Sequence, residues 1–220
     1  MEKSNPFRVK VSGENACFTR PEMKVERVSY EVMTPSAARG ILEAILWKPA
    51  IKWRILQIDV LKPIQWESVR RNEVGKKAVK PTAAHIKGTS KEPLGLYIEK
   101  ERQQRAGLFL RDVAYIIHAE FSLTERAGPE DSIVKFTEMF IRRTTKGQCF
   151  HRPYFGCREF PVNFEFIPQN ASSPQPISLT KDLGWMLYDI DFSGKEPMPM
   201  FFHAHLENGV LDLRNVEVRK

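Results

Sequence analysis

Between Arg142 and Phe160 the chain places five cations (Arg142, Arg143, Lys146, Arg152, Arg158), two glycines (Gly147, Gly156), His151 and four aromatics, with no acid before Glu159. Glycine lets a backbone approach a phosphate closely, and Arg and Lys neutralise it. Aromatic and guanidinium planes give unstacked bases a surface to stack on. The stretch therefore reads as a grip on single-stranded or looped nucleic acid, RNA before DNA. A basic surface loop ahead of a strand has the same composition, so the reading needs support from the rest of the chain.

Other side chains could do chemistry but are more isolated. His118 sits in the alternating run Val113–Phe121, on the opposite strand face from Tyr115. His203 and His205 flank Ala204 at a spacing that suits a metal pair, but no acid or Cys ligand clusters with them in sequence, so neither a metal nor another cofactor is expected. Cys17, Cys149 and Cys157 are an odd number with no C-x-x-C spacing, which suits a reduced, cytoplasmic protein without structural disulfides or a zinc ribbon. The first residues lack an apolar signal core, and no apolar run approaches membrane-spanning length. A net charge of +7 favours a polyanionic partner and says nothing of fold.

These residues need elements to hold them. Phe7, Val9 and Val11 alternate with Arg8 and Lys10 as an opening strand. Thr34-Pro35-Ser36 is a helix start, a hydroxyl cap followed by proline where a missing N–H costs nothing. Ala38, Ile41, Leu42 and Ile45 continue at helical spacing to Pro49. Lys52–Leu61 and Val113–Phe121 read as strands two and three. Gly128-Pro129-Glu130-Asp131 opens a second helix striped by Ile133, Phe136, Met139 and Phe140, with the two acids in its first turn and Gly147 as its C-cap. Phe160–Ile167 is strand four. The order β-α-β-β-α-β predicts an α+β fold, the ferredoxin-like or RRM-type arrangement.

Residues 65–108 are a long insertion between strands two and three, rich in cations including Arg70 and Arg71, and read as a nucleic-acid-facing loop. Residues 168–182 are a linker, and Asn208-Gly209 signals a hairpin in a small closing antiparallel sheet. The expected division is a ferredoxin-like domain over 1–167 and a small β-sheet domain over 168–220.

Several long, ungapped runs carry a resemblance. Cys17-Phe-Thr-Arg20-Pro-Glu-Met-Lys24-Val-Glu-Arg27-Val-Ser-Tyr30, Trp47-Lys48-Pro49, Arg70-Arg71-Asn72-Glu73, Arg102-Gln-Gln-Arg105, Gly156-Cys-Arg158-Glu159-Phe160 and Asp182-Leu-Gly184-Trp185-Met-Leu-Tyr-Asp189-Ile-Asp191-Phe resemble the CRISPR-associated RAMP-type subunit of subtype I-C. The resemblance implies binding of the repeat-derived 5′ handle of CRISPR RNA inside a Cascade surveillance complex, beside its backbone and large subunits. It also implies metal-independent cleavage of the precursor transcript: the 2′-hydroxyl upstream attacks the scissile phosphate and leaves a 2′,3′-cyclic phosphate. Such a site needs a group for the 2′-OH proton, a cation for the phosphorane and help for the leaving 5′-oxygen.

Here the chain departs from its relatives. Where they carry Tyr or His before Trp-Lys-Pro, it has Leu46; where they carry Gly-Lys-His, it has Val134-Lys135-Phe136. Only the cation survives. One account keeps the RNA grip without the cut; the other lets His151 or Tyr154 cover the gap beside Lys135, with His118 a weaker candidate. Arg20, Lys24, Arg27, Arg70, Arg71, Arg142, Arg143, Lys146, Arg152 and Arg158 are the expected RNA-binding residues. Weak duplex-DNA binding is a further expectation for a basic fold of this kind; a metal-dependent DNA nuclease would need a carboxylate cluster, which the sequence does not suggest.

Overall fold

The computed structural model describes residues 2–91 and 94–220. In chain order its first elements are β1 (Phe7–Ala16), α1 (Pro35–Ile45), β2 (Ile51–Val60), β3 (Trp66–Val74), the four-residue helices α2 (Ala83–Ile86) and α3 (Ile98–Glu101), β4 (Arg102–Leu123), α4 (Ile133–Thr145) and β5 (Asn163–Ile167). The main sheet runs β5-β1-β4-β2 with every neighbouring pair antiparallel, the strand order of a ferredoxin-like βαββαβ unit. One face of the sheet carries Val9 opposite Ile117 and Val11 opposite Tyr115, all buried. Onto it pack Ala38, Ile41, Leu42 and Ile45 of α1 and Phe136 and Phe140 of α4. An aromatic cluster joins the layers: Phe7 stacks on Phe121 at 5.7 Å, and Trp53 lies 4.7 Å from Phe140. Such pairs add about 0.5–1.5 kcal/mol each beyond area burial.

Both main helices begin as their caps dictate. The Thr34 hydroxyl accepts the Ala37 N–H at 3.3 Å, with Pro35 in the first turn of α1. At α4 the cap is Ser132, whose hydroxyl accepts the Lys135 N–H at 3.2 Å. Glu130 and Asp131 therefore precede the cap and do not lie in the first turn as expected. Asp131 accepts the Gly128 N–H at 3.1 Å and meets the Lys135 ammonium at 3.0 Å.

The insertion is not a loop throughout. β4 is 22 residues long, and its first half, Arg102–Leu110, pairs antiparallel with β3 as a two-stranded ribbon. Its exposed faces lack the apolar alternation by which strands are recognised, so the sequence showed only the half buried in the sheet. Asp112, at φ +50°, interrupts the pairing with β1 between Val113 and Arg111, where ribbon passes into sheet.

β6 (Lys181–Asp191) and β7 (Met198–Leu206) form a separate two-stranded antiparallel sheet, and β8 (Val210–Asp212) joins the main sheet beside β2. Asn208 and Gly209 turn with positive φ, +47° and +77°, as a type I′ hairpin requires. The strands then part, because Leu211 and Leu213 are buried in the main core. A Cβ on Gly209 would fall 2.3 Å from the Ile177 carbonyl oxygen, so the turn admits only glycine.

The segment after β5 starts beside Arg8, whose guanidinium binds the carbonyls of Pro168, Gln169 and Ala171. It ends with the Ile177 N–H on the Val60 carbonyl, at the far end of β2. The strap thus crosses the helix-free face diagonally, and Ile116 on that face is fully buried. Beside Ile116, His118 Nε2 lies 2.7 Å from the buried carboxylate of Asp59. The face that an RRM presents to RNA is here occupied by the chain itself.

Candidate nucleic-acid interface

The three positions singled out by motif lie where α1 ends and α4 begins. Leu46 is the C-cap of α1, fully buried, and its carbonyl accepts the Trp53 indole N–H at 3.0 Å. Phe136 is buried edge-to-face against Phe121. Lys135 alone projects outward, held by Asp131. The Asp131 carboxyl is kept below its ordinary range by the Gly128 N–H first and by Lys135 next, with Lys48 adding its positive charge. Lys135 is thus paired with a carboxylate that also feels the positive charge of Lys48, and the side chains of Trp47 and Val134, next to these lysines in sequence, are exposed. Lys48 was not among the residues singled out in the sequence, although the Trp-Lys-Pro run contains it.

His151 and Tyr154 are placed by the basic loop, which runs back along α1. The N–H groups of Phe150 and His151 both reach the Ala44 carbonyl, at 2.8 and 3.4 Å. Tyr154 lies further along, beside Gly40, Ala37 and Thr34. Among the described residues no hydrogen bond or ion pair links any two of Lys135, His151 and Tyr154. They are strung along α1: Lys135 past its end, His151 at its last turn, Tyr154 beside its first turns. This arrangement can bind a phosphate chain; it does not aim an acid and a base at one phosphorus.

The cations divide into committed and free. Arg27 meets Glu73 at 3.6 Å and Glu159 at 3.8 Å, and Arg105 meets Glu73 at 3.0 Å. Arg71 also pairs with Glu159 and lies over Phe109 and Phe160 at 5.0 and 5.8 Å. Arg143 donates to the Ile45 carbonyl at 2.6 Å, closing the end of α1, and Arg152 donates to Asn163. Arg20 lies 4.5 Å over the Tyr30 ring. Lys24, Arg70, Arg142, Lys146 and Arg158 have no hydrogen-bond or ion-pair partner among the described residues and are exposed. A phosphate chain would meet these first.

Two further features were missed in the sequence. The β6–β7 hairpin docks on this region: Asp189 takes two hydrogen bonds from Arg39, at 2.7 and 2.9 Å, and the Leu187 N–H donates to the Tyr30 hydroxyl at 3.2 Å. Cys17 and Cys157 lie together where Gly156, at φ +76°, presses on the Cys17 carbonyl; a Cβ there would come within 2.0 Å of that oxygen. Their hydrogen bond, aided by the Arg27 charge, lowers the Cys157 thiol below its ordinary range, and the same bond with burial raises Cys17. Among the described residues no three His, Cys, Asp or Glu side chains gather as metal ligands, and no helix is long and apolar enough to cross a membrane.

A ferredoxin-like unit extended by a basic ribbon and an antiparallel hairpin, with free cations along one helix and its following loop, is the architecture of a RAMP-type protein. The family model described as CRISPR-associated protein (Cas_Cas5), of the Cas5d type, matches residues 7–214, and the chain belongs to this family. The chain is 52% identical, over 96% of its length and 95% of the relative's, to the CRISPR pre-crRNA endoribonuclease Cas5d of Mannheimia succiniciproducens. It is 42% identical to the protein of the same description from Thermus thermophilus, over 94% and 90% of the two chains. Among solved structures it is similar to one described as a CRISPR-associated protein (TM-score 0.72, 22% identity, covering 100% and 99% of the chains). A functionally uncharacterized protein from Streptococcus mutans, SMU1763c, superimposes with a TM-score of 0.71 at 20% identity over the whole of both chains. These two likenesses concern the fold.

Proposed function

We propose that this chain binds the repeat-derived part of CRISPR precursor RNA and keeps its 5′ handle within a Cascade-type complex in the cytoplasm, beside backbone and large subunits, with at most weak affinity for duplex DNA. The observation that carries this is the 52% identity, across nearly the full length of both chains, to a pre-crRNA endoribonuclease. The free cations Lys24, Arg70, Arg142, Lys146 and Arg158 give the handle its electrostatic contacts, while Arg20, Arg27, Arg71, Arg143 and Arg152 shape the surface through their partners.

For cleavage, the 2′-oxygen attacks the adjacent phosphorus in line, its proton passes to a base, and the 5′-oxygen leaves with a proton, giving a cyclic phosphate and a 5′-hydroxyl. Lys135 stabilises the phosphorane charge, which needs no metal. His151 and Tyr154, on the loop bound to α1, are the candidates for the proton transfers; either has to move with bound RNA to reach the phosphate. A second reading, a subunit that holds the handle without cutting, is favoured by the burial of Leu46 and Phe136 in the two other motif positions.

Incubating the protein with its cognate repeat RNA in EDTA separates them. A product ending in a cyclic phosphate supports the nuclease; salt-sensitive binding with intact RNA supports the second reading; no binding sinks both.

A further inference from the structure

Two adjoining cavities of about 390 and 290 Å³ share Thr19, Leu187 and Ile190, and together form one groove. One wall is the segment 18–24 with the first turns of α1, the other the β6–β7 hairpin. The larger cavity is at the end bounded by Tyr154, Gly156 and Gly40; the smaller opens past Arg20 and Lys24.

Three observations fix what this groove suits. Neither cavity has a carboxylate in its lining, whereas the cavity of about 570 Å³ that the hairpin also borders is lined by the ion-paired groups Arg39, Glu43 and Asp189 together with Asp191, Lys52 and Arg54. The groove's lining combines apolar walls from Phe18, Leu187 and Ile190 with hydroxyls of Thr19, Ser36 and Tyr154, the mixture that encloses a flat heterocycle and reads its edge. The Tyr154 phenol has no hydrogen-bond partner among the described residues. The size of the larger cavity is at the lower end of sites that enclose a small ligand, about 300–1,000 Å³.

We infer that the larger cavity is a base-reading pocket: an unstacked nucleobase of the bound RNA strand enters between Phe18, Tyr154 and Leu187 while Lys24, the free cation lining the adjoining cavity, holds a neighbouring phosphate. This rests on the RNA-binding reading above and adds sequence preference to it. Phosphate contacts position a strand but carry no sequence information, which must come from base edges.

Gly40 supplies the test. It lines the pocket on an exposed helical face, and a Cβ there meets nothing within 4 Å, so a side chain fills the cavity without disturbing the fold and raises helix propensity. Fluorescence anisotropy would compare the wild type with Gly40→Ala, Gly40→Leu and Tyr154→Phe. The probes are the single-stranded cognate repeat RNA and a scrambled RNA of equal composition at one salt concentration. Gly40→Leu is expected to lose tenfold or more affinity for the repeat while its affinity for scrambled RNA stays within twofold. Tyr154→Phe should lose less, and Gly40→Ala almost nothing. Wild-type discrimination retained by Gly40→Leu overturns the pocket, as does an equal loss on both RNAs. So does an unchanged preference accompanied by failure to assemble with the other complex subunits, which would give the groove to a protein partner. If the wild type binds neither RNA, the RNA-binding reading falls and the pocket with it; if it binds both RNAs equally, only the pocket falls.

Discussion

The two ends of α1 differ in what they offer an RNA strand. At its C-terminal end, where motif places the chemistry, Leu46 and Phe136 are buried and only Lys135, with Lys48 nearby, projects around Asp131. At its N-terminal end the groove is lined by hydroxyls and apolar walls, and its mouth carries Arg20 and Lys24. One end holds cations that no hydrogen bond among the described residues links to His151, the other has recognition surface around the Tyr154 phenol. The contrast teaches that, on the proposed function, the groups for holding and for cutting an RNA are fixed by different local packing, so that mutation can separate the two.

The largest effect should come from the cation that the nuclease reading places against the cleaved phosphate. Lys135→Ala is expected to lower single-turnover cleavage by about 10²–10³-fold, the usual loss for one preorganised charge-stabilising group, while RNA affinity changes less than threefold. An unchanged rate would remove the C-terminal end of α1 from the chemistry altogether.

Next in size is the attempt to make the two ends alike. Leu46→Tyr with Phe136→His restores the motif's polar groups, but both positions are buried against Trp53, Phe121 and their neighbours. Replacing the Phe136 ring by an imidazole removes packing and buries a polar group, a cost of about 2–4 kcal/mol. Thermal unfolding should register that loss, and cleavage should rise in the same protein. A stable double mutant with no gain in cutting would mean the proton chemistry is not repairable at this end.

A smaller effect tests whether the free cations are the electrostatic grip. Removing Arg142, Lys146 and Arg158 together should reduce the slope of log affinity against log salt by about 0.7 for each phosphate left without its cation. Replacing Arg143 instead should cost stability more than slope, because its guanidinium closes α1 at the Ile45 carbonyl. Equal slopes for both would erase the division between committed and free cations.

How much of this was legible in the chain depends on how local the signal is. Thr34-Pro35 and the apolar spacing behind it fixed α1, because capping and amphipathicity act within a few residues. The start of the ribbon in β4, residues 102–106, was invisible, since it is polar and largely exposed and has no buried side to enforce alternation. Asn208-Gly209 announced its turn correctly, but only the burial of Leu211 and Leu213 in the main core decides that β8 leaves its hairpin partner for β2. The groove could not be read at all: Phe18, Gly40, Tyr154 and Leu187 come from distant stretches that only the docked hairpin brings together.

The smallest effect concerns the junction where the basic loop meets the strand before it. Cys157 shares a hydrogen bond with Cys17 and feels the Arg27 charge, so its folded thiol ionises more readily than an unfolded one. A depressed acid contributes stability above its unfolded pKa and loses it as pH falls through the folded value, so this contribution is present at alkaline pH and fades as pH falls below the ordinary thiol range. Cys17, buried and raised, has the opposite sign: its contribution is present at neutral pH and is lost as pH rises past the ordinary thiol value. The pair thus retains one proton across the range between. Iodoacetamide at pH 7 should modify Cys157 and leave Cys17 untouched, and mass spectrometry of the digested protein reads this directly. RNA bound at Arg158 and Gly156 should slow the labelling. Equal labelling of both cysteines with and without RNA would show that this junction, unlike the free cations beside it, lies outside the path of the strand.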